Sequence, residues 1–333
     1  MKALVTGASG FVGSAVVRHL LKQDVDVRVM LRPSSDRRNV ADLPIEIVNG
    51  DLADAASLEK AVSGCDTLFH VAADYRLWVP DPTVLYDTNV KGSRSLMFAA
   101  MQAGVERIVY TSSVATLGIN SNGQPADENT PSTLDNMVGH YKRSKFLAEQ
   151  AVQQLIDEQQ LPAVIVNPST PVGPRDLKPT PTGRMVLDAA CGRMPAYVDT
   201  GLNVVHVEDV AEGHWLALQK GRIGQRYILG GTDMSLRQIL GEIAALTGRR
   251  AARIRLPNDL LMPVAYAAET WARYSHGPEP RITRDGLRMA KKHMYFSSDK
   301  ARRELGYAPR PAIDALRDAI RWFQQNHYCE RHV

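Results

Sequence analysis

Short, nearly continuous apolar runs punctuate the first half of the chain, at 3–6, 27–31, 45–48, 67–71, 107–111 and 163–166. They are rich in β-branched residues and lack the polar alternation of a half-exposed strand, so they read as parallel strands covered on both faces. Between them lie helix-sized stretches, for example 11–21, 57–62, 83–103 and 141–156. This alternation is the βαβ order of a doubly wound α/β sheet. In the helix after Tyr141, Leu147, Ala148, Ala151, Val152, Leu155 and Ile156 form one stripe that packs on the sheet, while Glu149, Gln153 and Asp157 point elsewhere.

From about Pro168 the pattern changes to Pro- and Gly-punctuated loops with separate helices at 236–246, 259–274 and 313–324. The expected organisation is a sheet domain over 1–167, to which segments at about 203–230 return, and a smaller lobe made mainly of 168–333. The helix at 259–274 is amphipathic and has two readings: packed within that lobe, or lying on a membrane surface.

The first strand runs straight into Thr6-Gly7-Ala8-Ser9-Gly10-Phe11-Val12-Gly13, which opens the first helix. A dinucleotide pyrophosphate needs this setting. Gly7 permits the tight turn, Gly10 lets backbone amides approach the phosphates, and Gly13 lets the helix pack closely on the strand. Strand, turn and helix in this order predict a Rossmann-type NAD(P)-binding domain, although the spacing is GxxGxxG rather than the commoner GxGxxG. About 20 positions on, an acidic residue holds the ribose hydroxyl of NAD and a basic one receives the 2′-phosphate of NADP. Arg32 stands there, with Ser34, Ser35 and Arg37 nearby, so NADP(H) is favoured over NAD(H).

Tyr141 and Lys145 are four residues apart and share one helical face. A nearby ammonium and an oxidised nicotinamide both favour the phenolate, so the pair predicts an acid–base tyrosine with a lowered pKa. Ser113 follows the strand at 107–111, on the sheet edge where ligands bind, and can donate to the reacting oxygen.

Charge and cysteines narrow the partners. Forty basic and thirty-six acidic residues leave a net +4, without a basic stripe interleaved with aromatics, so nucleic acid is not expected. Cys65, Cys191 and Cys329 form no CxxC pair, so neither a metal site nor a disulfide framework is signalled, and a reducing cytoplasm fits. The N-terminus enters a strand directly, without a signal peptide pattern. No apolar run approaches the roughly 20 residues that span a bilayer.

TGxxGFxG at 6–13, Gly50-Asp51-Leu52, His70-Val71-Ala72-Ala73, Asp87-Thr88-Asn89-Val90, Thr111-Ser112-Ser113 and YxxxK at 141–145 together resemble the extended short-chain dehydrogenase/reductases. Segments at 205–211, 298–301 and 305–309 resemble that family's C-terminal landmarks, so the likeness covers nearly the whole chain. Within the family, 71–82, 167–173 and 178–185 are similar to the bacterial hopanoid-associated sugar epimerases, themselves similar to dihydroflavonol reductases. The resemblance implies a cytoplasmic NAD(P)-dependent enzyme of hopanoid lipid metabolism, acting on a small-molecule or lipid-linked sugar or polyol, and it admits a homodimer. It further implies that Asp51 and Leu52 border the adenine, that Ala72 and Ala73 line the middle of the cofactor, that Pro168 meets the nicotinamide side, and that Asn89 is a fourth catalytic member. Asp51 also reads as a helix N-cap.

Two departures bear on the reaction. Val114-Ala115 follow Ser113 where dehydratases carry Asp-Glu, which disfavours dehydration. Thr170 stands three residues before Gly173-Pro174, where nucleotide-sugar epimerases place an asparagine, so a ketone or alcohol without a nucleotide fits as well as a nucleotide sugar. Leu77, Trp78, Met185, Tyr197, Tyr266 and Trp271 would then supply an apolar wall. Reductase and epimerase remain open, as does a non-catalytic dinucleotide-sensing regulator that kept only the fold.

Overall fold

A computed structural model describes residues 1–120, 122–275, 280 and 282–330. The expected apolar runs form strands Lys2–Thr6 (β1), Asp26–Leu31 (β2), Glu46–Asn49 (β3), Thr67–His70 (β4), Arg107–Thr111 (β5) and Ala163–Pro168 (β6). Later strands are Thr170–Val172 (β7), Ala196–Tyr197 (β8), Gly201–His206 (β9), Arg226–Leu229 (β10), Thr232–Ser235 (β11), Ile254–Arg255 (β12) and His293–Met294 (β13). Seven strands make one parallel sheet in the order β10-β6-β5-β4-β1-β2-β3. β3 starts one residue later than its apolar run predicts and sits at the sheet edge, where Ile47 is 40% exposed.

Helices cover both faces, as continuous apolar strands require. Phe11–Lys22 (α1) comes first, then Ala55–Val62 (α2), Thr83–Tyr86 (α3), Ser93–Gln102 (α4), Gly139–Gln159 (α5), Pro181–Ala190 (α6) and Val207–Lys220 (α7). Leu236–Thr247 (α8), Asn258–Ser275 (α9), Arg284–Met289 (α10), Asp299–Leu305 (α11) and Ala312–Gln325 (α12) follow. Residues of α1, α7 and α11 build the core on one face, while α2, α4 and α5 build it on the other. A third core joins α6, α8 and α12 to β7 and β9 of a small second sheet.

Two expectations about local structure change. The single helix predicted over 83–103 is interrupted by a π segment, Asp87–Gly92, between α3 and α4. The segment buries Asn89 and Gly92, and a hydrophobic period cannot reveal so short a change of winding. The cysteines are not all unpaired either. Cys191, at the end of α6, and Cys329, after α12, form a disulfide with Cα atoms 5.5 Å apart, because both chain segments pack into the third core. Disulfides belong to oxidising compartments, so the argument from unpaired cysteines to a reducing cytoplasm falls. Among the described residues, no helix is long and apolar enough to cross a membrane.

Candidate active site

The expected site residues line up along one edge of the large sheet. Gly7 follows β1, Arg32 follows β2, Asp51 follows β3, Ala72 and Ala73 follow β4, Ser113 stands just beyond β5, and Pro168 ends β6. Ligands of such sheets bind at this C-terminal edge, where the strand order reverses. Here the reversal lies between β1 and β4.

Gly7 has φ +71 and lies so near the loop after β4 that a Cβ on it would stand 2.7 Å from Ala72 N. Gly13 also answers to close approach, although not to the strand: its Cβ would stand 2.1 Å from the Gly7 carbonyl oxygen, so the first turn of α1 packs on the loop itself. Gly10 donates its N–H to that carbonyl at 2.9 Å. No side chain caps α1 and no carboxylate lies in its first turn. The amides around Phe11 and Val12, at the positive end of the helix dipole, are thus left for an anion, which fits the pyrophosphate of a dinucleotide. Behind the turn, Thr6 Oγ1 pairs with His70 Nδ1 at 2.8 Å and accepts the Ala72 N–H at 3.2 Å. Burial pushes the His70 pKa down to about 3, so the ring is a neutral strut, held at its other nitrogen by Ser93.

The remaining cofactor candidates differ in how they are engaged. Arg32 is exposed, and its guanidinium makes no hydrogen bond or ion pair among the described residues. Asp51 accepts the Ala53 N–H at 3.0 Å, closing a turn, while the N-cap position of α2 belongs to Asp54. The N-cap reading of Asp51 is corrected accordingly. Leu52 is buried, and a Cβ on Gly92 would stand 2.8 Å from its Cβ, which fixes the β3–α2 loop against the π segment.

Ser113, Tyr141 and Lys145 come together beside β5. Ser113 has extended backbone, and its Oγ accepts the Ala115 N–H at 3.1 Å, so the hydroxyl hydrogen remains to be donated. Lys145 is 3% exposed; its Nζ donates to the Thr111 carbonyl at 2.9 Å and lies 5.2 Å from the centre of the Tyr110 ring. Burial brings the Lys145 pKa down to about 8, with Glu149 pulling it back up. The Tyr141 phenol departs from expectation. Burial raises its pKa, and the opposing influence is the Ser113 hydrogen bond rather than the Lys145 ammonium, which is turned to Thr111.

Asn89 is occupied elsewhere. Its Nδ2 donates to Asp74 O and to Ser144 Oγ, each at 2.9 Å, and its Oδ1 accepts the Asp74 N–H at 2.8 Å. It clamps the β4 loop to the residue before Lys145.

The helical stripe misplaced one residue. Glu149, expected to point away from the sheet, is 4% exposed. Its carboxylate accepts hydrogen bonds from Ser112 Oγ, from Thr116 Oγ1 at 2.8 Å and from Asn167 Nδ2 at 2.9 Å, and pairs with Arg226 at 3.1 Å. The signal was present: Tyr141, Lys145 and Glu149 recur every four residues on one helical face.

A cavity opens beside the group, lined by Ala115 and Leu117 from the Ser113 loop, Val138 and Lys142 from the start of α5, Met289 at the end of α10 and Lys292 just after it. Burial, with the nearby Lys292 charge, lowers the Lys142 pKa to about 8. The expected apolar wall does not assemble: Met185 packs in the third core, and Tyr266 and Trp271 face solvent.

The model of the NAD dependent epimerase/dehydratase family matches residues 3–230. A dihydroflavonol 4-reductase-like protein of Synechocystis sp. is 45% identical, over 98% of this chain and 95% of its own length. Sterol demethylase protein B of Methylococcus capsulatus is 36% identical, over 98% of this chain and 99% of its own length. The crystal structure of gox2253 superposes with a TM-score of 0.87 at 56% identity, covering 97% of this chain and 98% of that chain. The chain therefore belongs to the NAD-dependent epimerase/dehydratase family and is an enzyme of the extended short-chain dehydrogenase/reductase class.

Proposed function

We propose that this enzyme moves a hydride between C4 of bound NADP(H) and the oxygen-bearing carbon of a ketone or secondary alcohol. The substrate is a sugar, polyol or other small molecule, free or on a lipid carrier, and the process is hopanoid lipid metabolism. The observation that carries the reading is the convergence of Ser113, Tyr141 and Lys145 beyond β5, with the Ser113 hydroxyl near enough to offset part of the burial effect on Tyr141 and Lys145 anchored on Thr111.

In the reducing direction Tyr141 gives its phenolic proton to the carbonyl oxygen as the hydride reaches the carbon, and an alcohol results. Ser113 donates its hydroxyl hydrogen to the same oxygen. The Lys145 ammonium, anchored on the Thr111 carbonyl next to the Tyr110 ring, supplies the positive charge that favours the phenolate once Tyr141 has given up its proton. A nicotinamide bound here would supply the hydride and, in its oxidised form, positive charge that favours the Tyr141 phenolate.

In this reading residues 1–167, with the returning segments near 203–230, hold the cofactor, and 168–333 hold most of the substrate. Gly7, Gly10, Phe11, Val12 and Gly13 cradle the pyrophosphate, Asp51 and Leu52 border the adenine, Ala72 and Ala73 line the centre, and Pro168 meets the nicotinamide. Arg32 takes the 2′-phosphate, supported by its exposed, unpaired guanidinium. A relative named for dihydroflavonol 4-reduction supports ketone reduction, and one named for sterol demethylation supports a lipid-like substrate. Epimerisation is the second reading, since the same three residues serve removal of a hydride and its return to the opposite face.

Purified protein incubated with NADPH or NADH and a panel of ketones and sugars tests this. Loss of NADPH absorbance with formation of an alcohol supports the reductase. Isomer formation without net oxidation replaces it with an epimerase. Tight dinucleotide binding with neither product leaves a non-catalytic sensor.

A further inference from the structure

Helix α9 presents apolar residues on both of its faces. Ala265 and Ala272 are buried against the fold, at 0% and 5% exposure. On the opposite side Leu260, Val264, Ala267, Trp271 and Tyr274 follow one another at steps of four and three residues, which puts them in one row. Their exposure is large: 68% for Leu260, 52% for Val264, 75% for Trp271 and 81% for Tyr274. Ile254, just before the helix, is 59% exposed. A row of this kind marks a surface that meets something apolar.

Charge identifies the partner. Between 249 and 293 the chain has ten Lys and Arg against four Asp and Glu, an excess of six, whereas the whole protein carries only +4. The rest of the molecule is therefore slightly acidic, and the basic surplus is confined to the segment that carries the row. Arg249, Arg250, Arg253, Arg273 and Lys292 are exposed and make no ion pair among the described residues. A second copy docking through a two-fold axis would set this basic surface against itself, and like charges across an interface oppose association. An anionic bilayer offers the complement to both features, since acyl chains accept Leu260 and Val264, the headgroup region suits Trp271 and Tyr274, and lipid phosphates meet the cations.

We propose that the outer face of α9, with its basic surroundings, docks this enzyme on an anionic lipid surface, with the helix lying along the membrane plane. The docking is separate from the chemistry assigned to Ser113, Tyr141 and Lys145, so either can fail without the other.

Flotation of the full-length protein with vesicles tests it, using phosphatidylcholine alone or mixed with phosphatidylglycerol. Wild type is expected to float with the mixed vesicles only, and to be released when salt rises from about 0.05 M to about 0.5 M. Two exposed-site variants separate the contributions, Leu260→Ser with Trp271→Ser, and Arg250→Gln with Arg253→Gln and Arg273→Gln. Each is expected to lower vesicle binding by at least about tenfold with the circular dichroism spectrum unchanged, since each basic residue near an anionic surface contributes several-fold. No flotation with the mixed vesicles overturns the proposal, as does binding that the Leu260→Ser, Trp271→Ser variant leaves intact. A wild-type dimer that this variant splits, without vesicle binding, assigns the face to a second copy instead.

Discussion

The side-chain amide of Asn167, on β6, donates to the Glu149 carboxylate at 2.9 Å and to the Ser113 carbonyl at 3.0 Å. A helix, a strand and the serine loop are thereby tied at one nitrogen. Ser112 and Thr116, which flank Ser113, bond to the same carboxylate. The backbone that carries the serine is therefore held by a buried acceptor on the helix that carries Tyr141 and Lys145.

Replacing Glu149→Gln puts an amide where four donors converge, so one donor is left facing another and the charge opposite Arg226 is lost. A buried polar group without its partner costs about 1–3 kcal/mol. The expected result is a lower Tm and a kcat reduced by about 10- to 100-fold through displacement of Ser113, with Kd for the dinucleotide unchanged. Steady-state kinetics beside cofactor titration separates the two, and unaltered kcat in a folded variant removes the positioning role.

Tyr141→Phe deletes one hydroxyl and keeps the ring packing. General acid–base groups contribute about 10²–10⁴ in rate, and a loss of that size in kcat, with dinucleotide binding retained, is expected. Single-turnover hydride transfer is the measurement, and turnover near the wild-type rate would discard the assignment of the phenol.

The pH profile follows from Lys145. Its pKa is lowered by burial to about 8, so the ammonium is present below that value and lost above it. For ketone reduction the Tyr141 proton is retained across the range, because burial raises that pKa. The sign is a kcat/KM that is level at neutral pH and declines above about 8 as the stabilising charge disappears. Stability runs the other way. The folded chain releases the Lys145 proton before the unfolded chain does, so the burden of a buried ammonium is full below about 8 and relieved toward the ordinary lysine value near 10.4. A kcat/KM that stays level through about pH 10 contradicts the role given to the ammonium.

The legible parts of this molecule were those whose cause is local. Continuous β-branched runs marked β1 to β6 because strands buried on both faces need no polar positions, and Tyr141 and Lys145 could be paired because one turn of helix sets their distance. Glu149 was misread because a charged residue beside an apolar stripe looks solvated until its partners are known. Asn167, Thr116 and Ser112 are 18, 33 and 37 residues away and are delivered by the sheet. The apolar outer row of α9 was seen only as amphipathicity, since burial of one face cannot be read from a period. Cys191 and Cys329 are 138 residues apart and meet only through the third core.

Arg32 gives a test of cofactor choice. A hydrogen-bonded charge contributes about 1.5–3 kcal/mol, so Arg32→Ala is expected to raise KM for NADPH by about 10- to 100-fold and to leave KM for NADH nearly unchanged. Parallel titrations with the two cofactors read this out. Equal effects on both would mean that the guanidinium meets a part of the dinucleotide that they share.

The disulfide is the last test. A bond closing a loop of 138 residues restricts the unfolded chain strongly, and bonds of this kind typically add about 2–4 kcal/mol. Intact mass after alkylation without reduction should show one modified thiol, Cys65, whose burial slows it, and three after reduction and unfolding. Urea titration with and without dithiothreitol should shift the midpoint downward on reduction. Activity measured at low urea should persist, since Cys191 and Cys329 lie in the third core, away from Ser113, Tyr141 and Lys145. Three alkylated thiols in unreduced protein would show that the pair stands as free cysteines, and would return the location of the enzyme to a reducing compartment.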